Sequence, residues 1–258
     1  MMRHSDDPYL SIVVPVYNEA RRLPPSLATL LAFSATLPYA AEVIIADDGS
    51  TDATTALVEA VAPSQAPLRL LRLAHRGKGF AVRAGVLAAR GDYVLVCDVD
   101  LAVPLDEWSR LRQALESGYD VAIGSREGAG ARRVGEPWHR HAMGRVFNAI
   151  VRALVVGQFQ DTQCGFKAFR GAVARDLFER VQIYGEHAPL VRGAAVTAYD
   201  VEVLYLAVTR GYRVAEVPVP WFYGEETKVS AVRDAWRNLR DVLRVRWLAL
   251  RGVYGRGR

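Results

Sequence analysis

The stretch Tyr93-Val-Leu-Val-Cys-Asp-Val-Asp-Leu-Ala-Val-Pro104 constrains the fold more than any other part of the chain. It opens with an apolar run, 93–97, that does not alternate with polar residues. That is the pattern of a strand covered on both faces, and such strands belong to parallel sheets flanked by helices. The run stops at two carboxylates, Asp98 and Asp100, and Pro104 then suits the first turn of a helix. Ligands of open parallel sheets bind beyond the carboxyl ends of the strands. Acids at that end have no duty to the core, and their hard oxygens suit Mg²⁺ or Mn²⁺. The same residues also fit a strand-to-helix turn with an Asp cap, and this stretch alone does not decide between the two.

The rest of the chain repeats the pattern. Apolar strands are expected over 10–17, 41–48, 68–73 and 119–123. Helices are expected over 24–35, after the turn Gly49-Ser-Thr-Asp52, and from the glycine turn His75-Arg-Gly-Lys-Gly-Phe80 to Ala89. This alternation predicts an α/β fold with a mostly parallel central sheet flanked by helices. Beyond Arg126 the pattern changes. Residues 127–137 read as a mobile loop, and apolar residues at 143, 146, 147, 150, 151, 154 and 155 predict a helix. A polar turn from Gln160 leads into a short strand ending at Phe169, a helix starts at Ala198, and Tyr212–Pro218 reads as a strand. The organisation expected is one catalytic domain over 1–229 and a basic amphipathic helix over 230–258.

Composition bears mainly on that last segment. The chain has 258 residues, 51% of them hydrophobic, enough for a core, and a net charge of +5. Residues 230–258 hold eight arginines against two aspartates, so the tail carries the whole excess. A basic segment calls for an anionic partner, a membrane or a nucleic acid. Val232, Trp236, Leu239, Leu243, Trp247 and Leu250 form one helical stripe, and Arg233, Arg237, Arg240, Arg244 and Arg251 form another beside it. Tryptophan beside arginine fits a membrane surface; packing of the apolar stripe on the catalytic domain is the plainer alternative. No nucleic-acid fold motif is present, and no nucleic-acid partner is expected. Cys97 and Cys164 form neither a metal spacing nor a disulfide framework, which favours a reducing compartment. Residues 1–9 contain no apolar core of a signal peptide. The longest uncharged stretch, 23–41, contains three prolines and reads as a soluble helix with its loops. The expected location is cytoplasmic, peripheral on the cytoplasmic face of a membrane.

Four strands close in polar clusters: Tyr17-Asn18-Glu19, Asp47-Asp48, Asp98-Val99-Asp100 and Gly124-Ser-Arg126. One shared crevice explains the coincidence; chance polarity of loops is the alternative. The turn at 75–80 can offer backbone N–H groups and Lys78 to a phosphate, but it matches neither the dinucleotide fingerprint nor the P-loop. No zinc spacing and no Gly-x-Ser-x-Gly elbow occurs.

Over residues 10–230 these motifs together resemble the family 2 glycosyltransferases of the GT-A fold. The residues that carry the resemblance are Val14-Pro15-Val16-Tyr17-Asn18-Glu19, Asp47-Asp-Gly-Ser-Thr-Asp52, Gly77-Lys-Gly79 and Asp98-Val-Asp100. Gly124-Ser-Arg126, Asp161-Thr-Gln-Cys-Gly-Phe-Lys167 and Tyr199-Asp-Val-Glu202 look most like the dolichyl-phosphate β-glucosyltransferase branch. The resemblance implies a nucleotide-diphosphate sugar donor (UDP-glucose in that branch), a polyprenyl phosphate acceptor, inversion at the anomeric carbon, and Mg²⁺ or Mn²⁺. It implies donor contacts at Pro15, Tyr17, Glu19, Asp47, Asp48, Lys78, Asp98, Val99 and Asp100. The metal would be held by Asp100 with Asp98, and the acceptor phosphate by Arg140, Arg145 and Lys228. Asp161, Asp98, Asp100 and Arg126 are the catalytic candidates, with Asp161 a catalytic or sugar-orienting carboxylate. Capping of the turn before Cys164 is the plain alternative for Asp161. Ala102 stands where the mannosyl branch has a metal-binding glutamine, which implies water in that place. A glycosyltransferase with a soluble acceptor and a basic nucleic-acid-binding protein are the competing readings.

Overall fold

A computed structural model describes residues 7–65, 67–135, 137–155, 157–193, 198–224 and 231–255, with side chains described outside 138–143 and 231–235. The first apolar runs form β1 (Leu10–Val16), β2 (Ala41–Asp47), β3 (Leu68–Arg72) and β4 (Tyr93–Val96). Between them lie α1 (Leu23–Thr36), α2 (Thr54–Val61) and α3 (Lys78–Ala88). Prolines occupy the first turn of α1, where no backbone N–H is needed. A 3₁₀ turn at Leu105–Glu107 leads into α4 (Trp108–Glu116), followed by β5 (Val121–Ser125).

β1 is the hub. It pairs in parallel with β2 on one side and β4 on the other, and β2 continues to β3. Alternate β1 residues serve opposite layers. Val13 joins a cluster with Val86, Val94 and Leu204, while Ile12 and Val14 join one with Leu27, Leu95 and Trp108. The sheet is therefore covered on both faces, as the unbroken apolar runs require. α3 lies close on β1 because residue 85 is glycine: a Cβ there would come within 2.4 Å of Val13 Cγ1.

After β5 come β6 (Arg132–Val134), α5 (Trp138–Leu154), β7 (Lys167–Arg170), α6 (Gly171–Glu179), α7 (Tyr199–Thr209), β8 (Val214–Pro218), β9 (Pro220–Phe222) and α8 (Ala231–Leu250). The main sheet runs β3-β2-β1-β4-β7-β5-β8. β7 is antiparallel to both its neighbours, β4 and β5, and β8 is parallel to β5. Two features depart from the sequence reading. The segment expected as a mobile loop, 127–137, contains β6, which pairs in parallel with β9. The short α6 is a further element; its apolar face, Val173, Ala174, Leu177 and Phe178, closes the core behind β7.

α8 rests on α5 and α7 through Val242 and Val245, both fully buried, with Asn238 and Asp241 beside them. The tryptophan–leucine stripe is on the other side: Trp236 is 70% and Leu250 72% exposed, and Leu243 and Trp247 are about half exposed. Val232 and Arg233 fall among the side chains that are not described. Among the described residues no helix is long and apolar enough to cross a membrane.

Away from the strand ends that carry the acids, Glu42 ties three elements together. It is 2% exposed and accepts from Ser11 Oγ at 2.7 Å, Arg69 Nη1 at 2.8 Å and Arg90 N at 2.9 Å. Burial opposes its ionisation, but these donors prevail and hold its carboxyl below the ordinary 4.5. A depressed acid stabilises the fold above its ordinary value and loses that contribution as the pH falls through the folded-state value. Glu42→Gln is expected to cost about 2 kcal/mol at neutral pH. It should also flatten the fall in stability below pH 4.5, the ordinary value. Denaturant unfolding of both proteins across that range checks this; parallel acid limbs would contradict it.

Candidate active site

The carboxyl ends of β1, β2 and β4 meet at one edge of the sheet, and their polar residues divide into two groups. The first shapes the walls. Asp47 Oδ1 accepts from Ser50 N and Oγ, and its Oδ2 from Thr55 Oγ1. Asp48 accepts from Arg76 N and Gly77 N, both at 2.8 Å, and its Oδ2 lies 2.8 Å from His75 Nδ1. Burial still raises the Asp48 carboxyl above its ordinary value despite these bonds. Both acids are 2% exposed, so they fix the turns that follow β2 and β3. Asn18 takes the left-handed conformation, φ 53°, which asparagine tolerates, and its Oδ1 accepts from Thr51 N at 2.7 Å. Glu19 forms a two-point bond with Arg22 at 2.6 and 2.7 Å. Tyr17 stacks on His75 with ring centres 3.8 Å apart and planes 2° from parallel. Pro15 lies within β1, paired with Ala46, and Val99 is buried beneath the turn.

The second group faces the crevice. Asp98 Oδ1 lies 2.6 Å from Lys78 Nζ, and both side chains are about a third exposed. Asp100 is exposed, with its Oδ1 accepting from Ala102 N at 3.2 Å. Desolvation and the neighbouring Asp98 carboxylate raise the Asp100 carboxyl. Lys78 is pulled down by burial but raised overall by Asp98, Asp200 and Asp100. Leu101 has φ 48°, a left-handed conformation that costs a non-glycine residue about 1–2 kcal/mol. The backbone bends there to aim the two acids into the same hollow, which Gly165, Phe166 and Trp221 also line. Glycine at 165 lets the loop lie against Asp98: a Cβ there would come within 2.2 Å of Asp98 Oδ2 and push the carboxylate aside.

Gly165 belongs to the loop before β7, and because β7 is reversed that loop arrives at the same edge. Asp161, on the same loop, is 0% exposed. It holds Arg126 at two points, Nε to Oδ2 at 2.7 Å and Nη2 to Oδ1 at 2.9 Å, and accepts from Arg126 N as well. Burial opposes ionisation of Asp161, and Arg126 overcomes it, holding the carboxyl well below the usual range. The Asp161 carboxylate is thus turned onto Arg126 and away from the crevice. Glu216 on β8 secures the loop by accepting from Asp161 N at 2.8 Å and from Ser125 Oγ at 2.7 Å. The Arg126 guanidinium lies 5.4 Å from the Trp221 ring, a cation–π contact. Arg145 on α5 is 66% exposed and reaches Glu127 Oε2 at 3.8 Å. Arg140 lies on α5 among the side chains that are not described, and Lys228 lies outside the described residues.

Sequence reading passed over four participants: His75 as a stacking partner, Gly165, Glu216 and Trp221. It also gave no role to Lys167, which is 1% exposed with its Nζ 2.6 Å from Asp200 Oδ1. Lys167 had a usable signal, since a lysine set between Phe166 and the apolar pair Ala168-Phe169 must find a buried partner. The others are set by contacts between distant segments.

Two carboxylates with hard oxygens, one raised by the other, form a donor set that fits a divalent cation. Among the described residues no group of three His, Cys, Asp or Glu side chains could hold a metal. The remaining ligands would therefore be water and substrate oxygens, as is usual for Mg²⁺.

Comparison with known proteins gives the same picture. The sequence pattern of glycosyl transferase family 2 matches residues 11–178. The dolichyl-phosphate beta-glucosyltransferase of Dictyostelium discoideum is 33% identical over 96% of this chain and 77% of its own length. Among solved structures, glucosyl-3-phosphoglycerate synthase from Mycobacterium tuberculosis in complex with UDP superposes with a TM-score of 0.60. It is 19% identical, over 93% of this chain and 80% of that one. A mannosyltransferase from Pyrobaculum calidifontis in complex with GDP-Man and Mn²⁺ gives 0.57 at 22% identity, over 96% and 65%. The paired acids after β4, the mostly parallel sheet beneath them and these matches have one conclusion: the chain belongs to glycosyl transferase family 2 and has the GT-A fold.

Proposed function

We propose that the protein transfers glucose, with inversion, from a nucleotide-diphosphate sugar, UDP-glucose, to the phosphate of a polyprenyl or dolichyl lipid at a membrane surface. The observation that carries this reading is one hollow lined by Asp98, Asp100, Gly165 and Trp221, with Lys78 2.6 Å from Asp98 and Arg126, held by Asp161, against the Trp221 ring. The names of the similar proteins supply the sugar and the lipid.

In the reaction an acceptor phosphate oxygen forms a bond to the anomeric carbon from the face opposite the leaving group. The bond from that carbon to the β-phosphate oxygen breaks, and the nucleoside diphosphate departs with the electron pair. A phosphomonoester has its second pKa near 6, so the attacking oxygen is already ionised at neutral pH and no protein base has to remove a proton. The protein's work is to orient two anions and to offset charge growing on the β-phosphate. Mg²⁺ or Mn²⁺ held by Asp100 and Asp98 would supply Lewis-acid stabilisation of that charge. Lys78 and Arg126 add positive charge on either side. Asp161 acts as the positioning residue of Arg126. Tyr17, Glu19 and the turns fixed by Asp47 and Asp48 shape the nucleotide end, with Pro15 and Val99 as its floor. Arg140, Arg145 and Lys228 receive the acceptor phosphate.

Residues 1–229 serve as the catalytic domain and 230–258, which contain α8, as the membrane-facing segment, peripheral on the cytoplasmic face; the helix itself ends at Leu250 rather than running through the segment. The exposure of Trp236, Leu243, Trp247 and Leu250 on the side of α8 away from the core supports this, since such a face buries readily at a headgroup boundary. Incubation with a panel of nucleotide sugars and a short polyprenyl phosphate, read by product mass, tests the whole reading. Transfer only to soluble acceptors would overturn it.

Three outcomes are expected. Asp100→Ala should lower kcat by about a hundredfold or more and weaken the dependence on added Mg²⁺ or Mn²⁺; unchanged turnover in chelator would refute the metal assignment. Arg145→Ala should raise the apparent KM for lipid phosphate roughly tenfold or more, the worth of a charge-assisted contact, with donor binding little changed. A fall in donor affinity alone would move Arg145 to the other substrate. Trp236→Ser with Trp247→Ser should reduce sedimentation with anionic vesicles while leaving the thermal midpoint nearly constant. Undiminished sedimentation would remove this face from the membrane contact.

A further inference from the structure

A second cavity, of about 350 Å³, lies on the other side of the His75–Gly77 turn, between the 183–192 segment and α8. Five of its lining residues are arginines: Arg76 from the turn before α3, Arg192, and Arg237, Arg240 and Arg244 from α8. One carboxylate, Asp241, accompanies them. Asp241 is 3% exposed and accepts a hydrogen bond from Tyr184 Oη, so part of its charge is already spent within the wall. Arg76 Nε is buried with no hydrogen-bond partner among the described residues. Arg240 Nη2 lies 3.7 Å from Asp241 Oδ1 and Arg76 Nη1 donates to Glu186 O, yet the five arginines outnumber the one carboxylate among the lining residues, and their forked donors suit phosphate oxygens.

The surroundings indicate where such a phosphate comes from. On α8 the arginines stand between the inner face, which carries Val242 and Val245, and the exposed face, which carries Trp236, Leu243 and Trp247. Leu190, between the lining residues Pro189 and Val191, is 70% exposed. A molecule with a phosphate in the cavity and an apolar tail along these side chains would satisfy both surfaces. No sugar-transfer residue lines the cavity, and the crevice acids belong to a different hollow.

We infer that this arginine cavity is a phosphate-binding site, separate from the crevice, that takes the phosphomonoester headgroup of an anionic membrane lipid. The source of the phosphate rests on α8 facing the membrane; the phosphate site itself does not. The test uses the full chain and dihexanoyl phosphatidate, a lipid phosphate soluble as a monomer, followed by calorimetry. Binding is expected in the parent protein and in Lys78→Gln, which removes a cation from the crevice. Arg240→Gln with Arg244→Gln should weaken it roughly tenfold or more. Arg152→Gln with Arg246→Gln, the same change of charge at residues outside the cavity, should leave it nearly unchanged. Equal weakening by both pairs means diffuse electrostatics and overturns the site. Loss in Lys78→Gln alone places the anion in the crevice and also overturns it. Inorganic phosphate binding as tightly as the lipid would overturn the lipid source. Trp236→Ser with Trp247→Ser should retain the soluble probe even where vesicle binding is lost. Failure of the cavity and failure of membrane attachment are thereby read separately.

Discussion

The site depends on opposite charges paired at the edge of a sheet, two of the pairs largely buried. Lys78 with Asp98, Lys167 with Asp200 and Arg126 with Asp161 lie at 2.6, 2.6 and 2.7 Å. Such pairs stabilise a fold weakly when compared with apolar packing, because both charges must first be stripped of water. Breaking Lys167–Asp200 or Arg126–Asp161 is another matter: the partner left behind is a buried charge without compensation, at a cost of about 3–5 kcal/mol. The pairs therefore specify geometry more than they add stability. Each joins segments far apart in the chain, so the crevice walls cannot shift independently.

Much of this could be read from the residues in order. The apolar runs gave the strands to within two residues at most ends, because a strand covered on both faces has little freedom in composition. The acids at the ends of β1, β2 and β4 gather at one edge of the sheet, and Asp98 and Asp100 share one hollow there. Their division of labour could not be read. Asp47 and Asp48 look as well placed for a ligand as Asp98 and Asp100, yet turns close around them and claim their oxygens. That choice depends on Ser50, Thr55 and the 75–77 turn folding back, and no periodicity announces it. The β6–β9 ribbon was hidden for a similar reason: Arg132-Arg-Val134 has the composition of a loop, and only its partner makes it a strand.

α8 shows how a correct pattern can leave its meaning open. The tryptophan–leucine stripe is visible in sequence, and a stripe of that kind ordinarily faces a core. Here the inward face is the less apolar one, carrying Asn238 and Asp241 beside Val242 and Val245. The exchange is possible because Tyr184 and Tyr254, from outside the helix, bring hydroxyls to Asp241 and Glu202. Two phenol–carboxylate contacts thus anchor this end of the chain while the more apolar surface stays outside.

The reversed strand has a last consequence. β5 and β7 are antiparallel neighbours, so everything from Arg126 to Phe166 is one excursion that leaves the sheet and returns to it beside its point of departure. Topologically it is an oversized hairpin. It contains α5, Arg126, Asp161 and Gly165, while Lys78, Asp98 and Asp100 precede it. An excursion with adjacent ends can be lengthened, shortened or exchanged without re-threading the sheet. The fold thereby sets Lys78, Asp98 and Asp100 at the edge of the sheet and carries Arg126, Asp161 and Gly165 on a segment that could be replaced as a unit.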